Sequence, residues 1–425
     1  SVATVSSVNQ SITRIRVQLN NFSHTFPDDV DIILEGPQGQ KAIVVSDAGG
    51  GTDVSNLQLI FDSVAPLSAI LPDNGTTTAG TFRAVNYAND NGPLTDTFPA
   101  PFPAPNALTD APADLSVFHQ TNPNGQWKLY VVDDANQDVG TISGGWTLFV
   151  TVPAIFTVNS TNDPGNGVCD GSECTLREAI TAAINAPGNS DQVSFDPSFN
   201  TPKTIDLLTP LPDITESMAI VGPGANLLTV RRSFNAVTDF RIFTIPIGIT
   251  TGVAISGMTI TGGRDTGPFG GGGIYSQSFL TLANVHVTGN HASNDGGGVL
   301  LEFADGLFTR STFSANRAGD AGGGILTFGD AKTLRVENCT VSGNIASSGG
   351  GIENFTNRSN PSAISRLEVI SSTIANNTAT AGGGISTIVG TGADASATTT
   401  LRNTIVANNT PNNLAKFGST ATFTT

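Results

Sequence analysis

The segment Thr340-Val-Ser-Gly-Asn-Ile-Ala-Ser-Ser-Gly-Gly-Gly-Ile352 decides the fold, because its pattern recurs along the chain. Its ending, three glycines and an aliphatic residue, occurs five times, at residues 271–274, 296–299, 322–325, 349–352 and 382–385. The aliphatic residues are 25, 26, 27 and 33 positions apart, and a strand pattern that ends in asparagine precedes each of the last four. A repeat of this length without an intervening helix predicts a right-handed parallel β-helix over residues 201–425.

The two recurring residue types suggest how the coils stack. Asparagines at the same place in successive coils can hydrogen-bond to one another along the stack, and they tolerate left-handed backbone. Stacked glycines permit a tight corner without side chains.

One segment ahead of the repeat has a convincing helical pattern, with an expected end at Gly188. Thr175 and Glu178 form a capping-box pair at its start. Its apolar stripe consists of Leu176, Ala179, Ile180, Ala183 and Ile184. We therefore predict that residues 153–200 are a linker with a cysteine loop and a short helix that caps the open first coil.

The cysteines indicate the compartment. Cys169 and Cys174 are five residues apart, a spacing that can close a small disulfide loop, and no further soft metal ligands lie nearby. A disulfide implies an oxidising environment, so we expect a secreted, extracellular or cell-surface protein. Cys339 is expected to be a buried strand residue.

The charge balance disfavours two classes of partner, nucleic acids and anionic membranes. The 425 residues contain 19 Lys and Arg against 35 Asp and Glu, for a net charge of −16. Binding to nucleic acid or to an anionic membrane requires a basic surface, which this balance disfavours. No apolar stretch approaches the roughly 20 residues needed to span a bilayer.

The first 152 residues alternate short apolar runs with turn signals. Runs such as Val30–Leu34 and Trp127–Val132 are separated by turns at 36–39 and 122–125. Short strands at this spacing predict an antiparallel β-sandwich, so the whole chain is expected to be all-β.

Four aspartates fall in turn-rich parts of this sandwich: Asp29, Asp31, Asp47 and Asp53. Carboxylates together with free carbonyl groups of a glycine-rich loop are ligands that Ca²⁺ prefers. The alternative is that these aspartates only accept hydrogen bonds from their own turns.

Segments 24–32, 46–53, 122–129 and 140–146 resemble the P domain that follows the catalytic domain of proprotein convertases. The resemblance implies a jelly-roll-like, non-catalytic β-sandwich that stabilises or targets a neighbour, and it favours calcium. No His-Gly-Thr or Gly-Thr-Ser-Met-Ala block accompanies it, so the chain encodes no subtilisin-type triad.

Cys174-Thr-Leu-Arg-Glu-Ala-Ile180 resembles the CSLREA motif at the start of bacterial surface β-helix proteins. The glycine and asparagine repeat is similar to that of polymorphic outer-membrane proteins and of pectin-lyase-like surface proteins. This group includes adhesins as well as pectate lyases and polygalacturonases, so the fold alone does not decide the function.

A polar stripe between the asparagine and glycine columns is the candidate ligand site. Its residues are Arg264, Asp265, Asp295, Arg317 and Asp320. In enzymes of this fold a lyase needs carboxylate-bound Ca²⁺ and a basic residue, whereas a hydrolase needs paired carboxyl groups. Coils stack about 4.8 Å apart, which would bring these residues together. The alternative is that the loops are polar because water surrounds them.

Three functions follow. The first is a secreted or cell-surface, non-catalytic structural or adhesive protein that binds surface glycans or assembles with copies of itself into a fibre or sheath, with the tail 421–425 pairing by strand addition. The second is a secreted polysaccharide lyase or glycoside hydrolase that acts on a loop face of the β-helix. The third is a calcium-binding accessory domain of a protease system.

Overall fold

The computed structural model describes residues 1–87, 111–133, 135, 137–186, 190–329, 331–356, 364–390 and 395–425. These residues form two compact units, Ser1–Pro153 and Ala154–Thr425. The predicted end of the helix at Gly188 lies outside the described residues.

The first unit contains ten described strands and two 3₁₀ turns, at Pro27–Asp29 and Leu115–Phe118. The strands are β1 (Val2–Val5), β2 (Arg14–His24), β3 (Val30–Glu35), β4 (Lys41–Ser46), β5 (Val54–Asp62), β6 (Gly80–Phe82), β7 (Val85–Asn86), β8 (Gly125–Asp133), β9 (Gly140–Ile142) and β10 (Trp146–Thr151).

These strands form a two-layered β-sandwich. Sheet 1 has the order β1-β8-β3-β4-β7, and sheet 2 has the order β10-β2-β5-β6 with β9 paired to β2. The pairs β4–β7 and β5–β6 run parallel, so the sandwich is antiparallel only in part. The core between the sheets contains Phe61, Phe118 and Trp127, all buried. Phe118 and Trp127 meet edge to face with ring centroids 5.1 Å apart.

The second unit begins with β11 (Ile155–Val158), helix α1 (Leu176–Asn185), β12 (Asp191–Phe195) and a 3₁₀ turn (Pro197–Asn200). The strands that follow, up to the middle of the unit, are β13 (Lys203–Leu207), β14 (Met218–Val221), β15 (Leu228–Arg232), β16 (Phe243–Ile245), β17 (Val253–Ser256), β18 (Thr259–Thr261), β19 (Arg264–Asp265), β20 (Ile274–Ser276), β21 (Leu280–Ala283), β22 (His286–Thr288), β23 (His291–Ala292) and β24 (Val299–Glu302). The remaining strands are β25 (Gly306–Thr309), β26 (Thr312–Ser314), β27 (Arg317–Ala318), β28 (Ile325–Phe328), β29 (Thr333–Glu337), β30 (Thr340–Ser342), β31 (Ile352–Thr356), β32 (Ile364–Ile370), β33 (Thr373–Ala375), β34 (Ile385–Val389), β35 (Ser396–Arg402), β36 (Ile405–Ala407), β37 (Leu414–Phe417) and β38 (Ala421–Thr424).

The second unit is a parallel β-helix, as the repeat predicts. Sheet 3 runs β11-β12-β14-β17-β21-β25-β29-β32-β35-β38 and sheet 4 runs β13-β15-β18-β22-β26-β30-β33-β36. Sheet 5 runs β16-β20-β24-β28-β31-β34-β37, and the short sheet 6 runs β19-β23-β27. Each strand therefore pairs with the corresponding strand of the next coil. Alternate side chains point into one apolar core, where the aliphatic residues Ile274, Val299 and Ile325 lie in register.

The asparagine column forms the predicted ladder and is buried in the interior. Asn344 Nδ2 donates to Asn377 Oδ1 at 2.9 Å and to Phe313 O at 2.9 Å. Its Oδ1 accepts from the backbone N of Asn316 at 2.9 Å and from Asn316 Nδ2 at 3.0 Å. The left-handed residue is the one before each asparagine, for example Gly343 with φ 67°. The asparagine itself is not left-handed, contrary to what its tolerance of that backbone suggested. Its amide points into the core.

The glycine column packs directly against this ladder. A Cβ atom on Gly298 would lie 2.5 Å from Gly324 O and 3.0 Å from Asn316 Nδ2. Real Cβ atoms essentially never approach a backbone oxygen so closely, so the position accepts only glycine. The first glycine of each run, such as Gly296 with φ 58°, turns the corner into the next strand.

Helix α1 closes the first coil. Thr175 Oγ1 accepts from Glu178 N, and Glu178 Oε2 accepts from Thr175 N at 2.8 Å, which completes the predicted capping box. The apolar stripe of the helix packs into the β-helix core with β11 and β12, fully buried except for Ile184, which is partly buried. Within the segment predicted as a linker, β11 and β12 are thus the first two strands of sheet 3.

The predicted disulfide and the predicted burial of Cys339 are confirmed, but Cys339 lies in the turn between β29 and β30 and not within a strand. Cys169 and Cys174 form a disulfide, and Cys339 is a buried free thiol. The tail strand β38 pairs in parallel with β35, while association of this strand with another copy stays a prediction. None of the described helices is long and apolar enough to cross a membrane.

We expect Asn344→Leu to lower the free energy of unfolding by about 2–4 kcal/mol, because the buried donors of Asn316 and the carbonyl of Phe313 lose their partner. Equilibrium urea unfolding followed by circular dichroism measures this change. The control Ser342→Ala, on the outer face of sheet 4, should stay within about 0.5 kcal/mol of the unaltered protein. Equal stability of the two variants would contradict a structural role for the ladder.

Candidate functional site

The outer face of sheet 5 carries a column of side chains that follows from the strand register. The strands β20, β24, β28, β31 and β34 each begin with an inward aliphatic residue, so the next residue points outward. Pairing aligns these outward residues as Tyr275, Leu300, Leu326 and Glu353. Asp295, Asp320 and Ser348, which precede three successive glycine runs, lie alongside this face.

A groove of about 350 Å³ lies between the outer face and these preceding residues. Its carboxyl groups belong to Asp295, Glu302, Asp320 and Glu353. Apolar side chains form much of the remaining wall: Pro268, Phe269, Leu300, Leu326, Phe328, Phe355 and Ile388. Carboxyl groups in a partly apolar groove lose hydration, which favours their protonated form.

Asp295 is half-buried in this groove. Burial raises its pKa to about 6; the backbone N–H of Ala321, which donates to Oδ1 at 3.1 Å, opposes this shift. Repulsion from Asp320 and Glu302 adds to the effect of burial. The Asp295 carboxyl therefore holds a proton under weakly acidic conditions and is able to donate it.

Glu353 is the most enclosed acid of the groove, with 3% of the residue exposed. Burial raises its pKa to about 7, against the effect of the Ser348 hydroxyl, and the negative charges of Asp295 and Asp320 contribute further. Its Oε2 atom has no hydrogen-bond partner among the described residues. The groove therefore has beneath its surface a buried carboxyl group that favours its protonated form and has one oxygen without a partner.

Glu302 is held in a different way. The Tyr275 hydroxyl donates to Glu302 Oε2, and Gln277 Nε2 donates to the same oxygen at 3.0 Å. Burial, followed by the neighbouring Glu302, raises the pKa of Tyr275, so the phenol keeps the proton that it donates. The two donors fix the orientation of the Glu302 carboxylate.

Aromatic rings border the carboxyl groups. Phe328 and Phe355 stack with centroids 5.3 Å apart, and Phe269 stacks on Tyr275 at 6.2 Å. Phe269 is 56% exposed although it is apolar. Exposed rings beside polar groups are typical of surfaces that bind ligands with both apolar and hydroxyl faces.

The structure divides the predicted stripe into two. Asp295 and Asp320 line the groove, whereas Arg264 and Arg317 lie on sheet 6. Asp265 is buried and serves the fold: Arg241 Nη2 donates to its Oδ1 at 2.5 Å, and the N of Gly270 donates to its Oδ2 at 3.1 Å. Which side chains meet depends on their place within the coil and on the strand register. Closeness in the sequence does not decide it.

Sequence reasoning left Glu302 and Glu353 out of the site. A signal for Glu353 exists, because it follows the aliphatic residue of its glycine run and must point outward once the strand is recognised. Glu302 ends strand β24 and points to the same outer face by the alternation of that strand, and the Tyr275 hydroxyl of the preceding coil then holds its carboxyl group. The outward direction could have been read from the sequence, whereas the contact with Tyr275 could not.

The predicted calcium ligands lie in the first unit. Asp31 is buried in β3, Asp29 ends a 3₁₀ turn, Asp47 adopts φ 49°, and Asp53 is exposed. Among the described residues, no group of three or more His, Cys, Asp or Glu is placed to hold a metal ion. Calcium binding therefore stays a prediction.

Neither a protein-family model nor a curated protein matches the chain. A search of solved structures finds similarity to pectate lyase Pel9A, at 11% identity and a TM-score of 0.33 over 64% of this chain and 78% of that one. It also finds the Agl-KA catalytic domain, at 12% identity and a TM-score of 0.21 over 100% of this chain and 89% of that one. The parallel β-helix is established by the strand register itself.

The buried acid Glu353 predicts a pH-dependent stability. Folding raises the pKa of the Glu353 carboxyl group. The contribution of this group to stability is therefore complete at pH values below its pKa in the unfolded chain, and it is lost as the pH rises through about 7. We expect the unaltered protein to lose about 2 kcal/mol of unfolding free energy from pH 5 to pH 8 through this group. Glu353→Gln should remove that loss in urea unfolding, while Glu368→Gln on sheet 3 should keep it. An unchanged pH dependence in Glu353→Gln would contradict the burial of an acidic proton at this site.

Proposed function

We propose that the groove on sheet 5 binds a polysaccharide and hydrolyses its glycosidic bonds. The observation that supports this proposal most directly is the pair Asp295 and Asp320: a carboxyl group that retains its proton lies beside a second carboxyl group from the next coil. Glycoside hydrolysis needs such a pair, one group as the acid and one as the base or nucleophile.

The proposed reaction assigns one role to each acid. Asp295 donates its proton to the glycosidic oxygen as the bond from that oxygen to the anomeric carbon breaks. Asp320 accepts a proton from a water molecule, whose oxygen forms the new bond to the anomeric carbon. Two shorter chains result, and solvent returns the proton from Asp320 to Asp295.

The walls of the groove suit a sugar chain. The exposed ring of Phe269 and the stacked rings of Phe328 and Phe355 offer flat apolar surfaces to the C–H face of a sugar. Glu302 would accept a hydrogen bond from a sugar hydroxyl, because Tyr275 and Gln277 already hold it in place. These contacts position the chain across Asp295.

Hydrolysis fits the groove better than β-elimination does. A lyase that acts on uronic acids needs a basic side chain to remove a proton and positive charge to bind the uronate. Among the described residues that line the groove there is neither lysine nor arginine. Its carboxyl groups would instead repel a polyuronate wherever they are ionised.

The remaining expectations extend this proposal. We place the protein outside the cytoplasm, in line with the disulfide between Cys169 and Cys174. The first unit would act as a non-catalytic accessory domain, as its resemblance to P domains implies. A structural or adhesive protein that assembles with itself or binds surface glycans would also use a β-helix, but it would not require a proton-holding acid in a groove.

We expect Asp295→Asn to reduce the release of reducing ends from a susceptible polysaccharide by about 10²–10⁴-fold, because the amide cannot donate the proton. Asp320→Asn should cause a loss of similar size. The activity of the unaltered protein should fall as the pH rises above about 6, since Asp295 then loses the proton that it must donate. A reducing-end assay over a panel of neutral and acidic polysaccharides measures each effect.

The matched control is Asp206→Asn, which removes a carboxylate on sheet 4 that pairs with Arg231. It should retain full activity. Parallel measurement of absorbance from unsaturated products separates hydrolysis from elimination. If no polysaccharide of the panel is cleaved, or if cleavage survives Asp295→Asn, the proposed reaction is wrong and the adhesive hypothesis is favoured.

A further inference from the structure

Sheet 6 carries a row of basic side chains that are not part of the groove lining. The strands β19, β23 and β27 pair in parallel, with Arg264 opposite His291 and His291 opposite Arg317. The three side chains therefore lie on the same side of neighbouring strands, about 4.8 Å apart from one coil to the next. We call Arg264, His291 and Arg317 the basic row.

The row has a local surplus of positive charge in a protein with a net charge of −16. Arg264 Nε lies 3.3 Å from Asp239 Oδ2, but Asp239 also pairs with Arg232 at 3.1 Å. For Arg317, no carboxylate lies within ion-pair distance in the described part of the chain. Asp239 thus forms ion pairs with two arginines, and Arg317 is exposed.

The positive charge of the row affects the protonation of His291. Its Nδ1 is buried without a hydrogen-bond partner, so the ring meets its surroundings through Nε2. Burial lowers its pKa, and the positive charges of Arg264 and Arg317 lower it further, against the effect of Asp239. A negative charge bound between the two arginines would relieve this repulsion.

We propose that the basic row binds an oxyanion: a sulfate, phosphate or carboxylate group. The guanidinium groups of Arg264 and Arg317 flank the ion and donate to its oxygens, and the N–H at His291 Nε2 donates between them. This site is independent of the proposed hydrolysis. The oxyanion is either a free ion or a substituent of an anionic polymer, and the two sources share this chemistry.

The test is the pKa of His291, read from its imidazole proton resonances in the whole protein. A pH titration is run in chloride, in inorganic sulfate at equal ionic strength, in dextran sulfate and in unmodified dextran. Chloride controls for screening and dextran controls for the neutral polymer. The His291 signal is identified by its absence in His291→Asn, and His286 on sheet 4 serves as the internal reference.

Sulfate, dextran sulfate or both should raise the pKa of His291 and leave His286 unchanged, because a bound anion stabilises the imidazolium form. An effect of sulfate alone identifies a site for a free ion, and an effect restricted to dextran sulfate identifies a site for a polymer-borne group. Both results support the oxyanion site. If neither sulfate nor dextran sulfate changes the pKa of His291, or if the change is equal in chloride or in unmodified dextran, the proposal is overturned.

Variants separate the site from general electrostatics. Arg317→Gln, at an exposed side chain, should weaken binding about tenfold, and Arg317→Lys should recover part of the loss because it keeps the charge but not the planar fork. The charge-matched control Arg335→Gln, on sheet 3, should bind as the unaltered protein does. Equal weakening by Arg317→Gln and Arg335→Gln would show that total charge, not the row, attracts the anion.

Discussion

The structure of the second unit depends on the contact between the asparagine ladder and the glycine corner. Within the ladder, the amide nitrogen of a buried asparagine donates to the neighbouring coils and its carbonyl oxygen accepts from them. Asn344, for example, donates to Phe313 and Asn377 and accepts from Asn316. A buried amide without partners would be costly, so each coil requires the next one in register. The glycine opposite the ladder leaves no room for a side chain. Together they determine the spacing and the alignment of the coils.

That alignment makes the groove possible. Side chains of adjacent coils become neighbours only when the strands keep one register, and a shift by a single residue would turn Glu353 into the core. Asp295, Asp320 and Glu353 belong to three successive coils, and the proton-holding state of Asp295 and Glu353 follows from their burial among apolar residues and near one another. The chemistry of the site is therefore a consequence of stacking.

The same scaffold carries two surfaces of opposite charge. The groove gathers four carboxyl groups on sheet 5, whereas the basic row gathers Arg264, His291 and Arg317 on sheet 6. Both surfaces consist of side chains that belong neither to the asparagine ladder nor to the glycine corner. The sequence stripe that combined Asp295 with Arg317 mixed these surfaces, because Arg317 belongs to a strand of sheet 6 whereas Asp295 lies directly before a glycine run and lines the groove.

The sequence by itself determined the coil architecture, the capped helix and the disulfide, because each rests on local spacing: the glycine runs, the pair Thr175 and Glu178, and the five-residue interval between Cys169 and Cys174. It also placed Asp295 and Asp320 among the candidates. Only the tertiary structure decided that Glu302 and Glu353 share one groove with them, that Glu353 is buried there, and that Asp265 pairs with Arg241 instead. The physical reason is that burial and contacts between coils, which set the protonation and the partners of a side chain, join residues about 25 positions apart, whereas the local sequence indicates only the face to which a strand residue points.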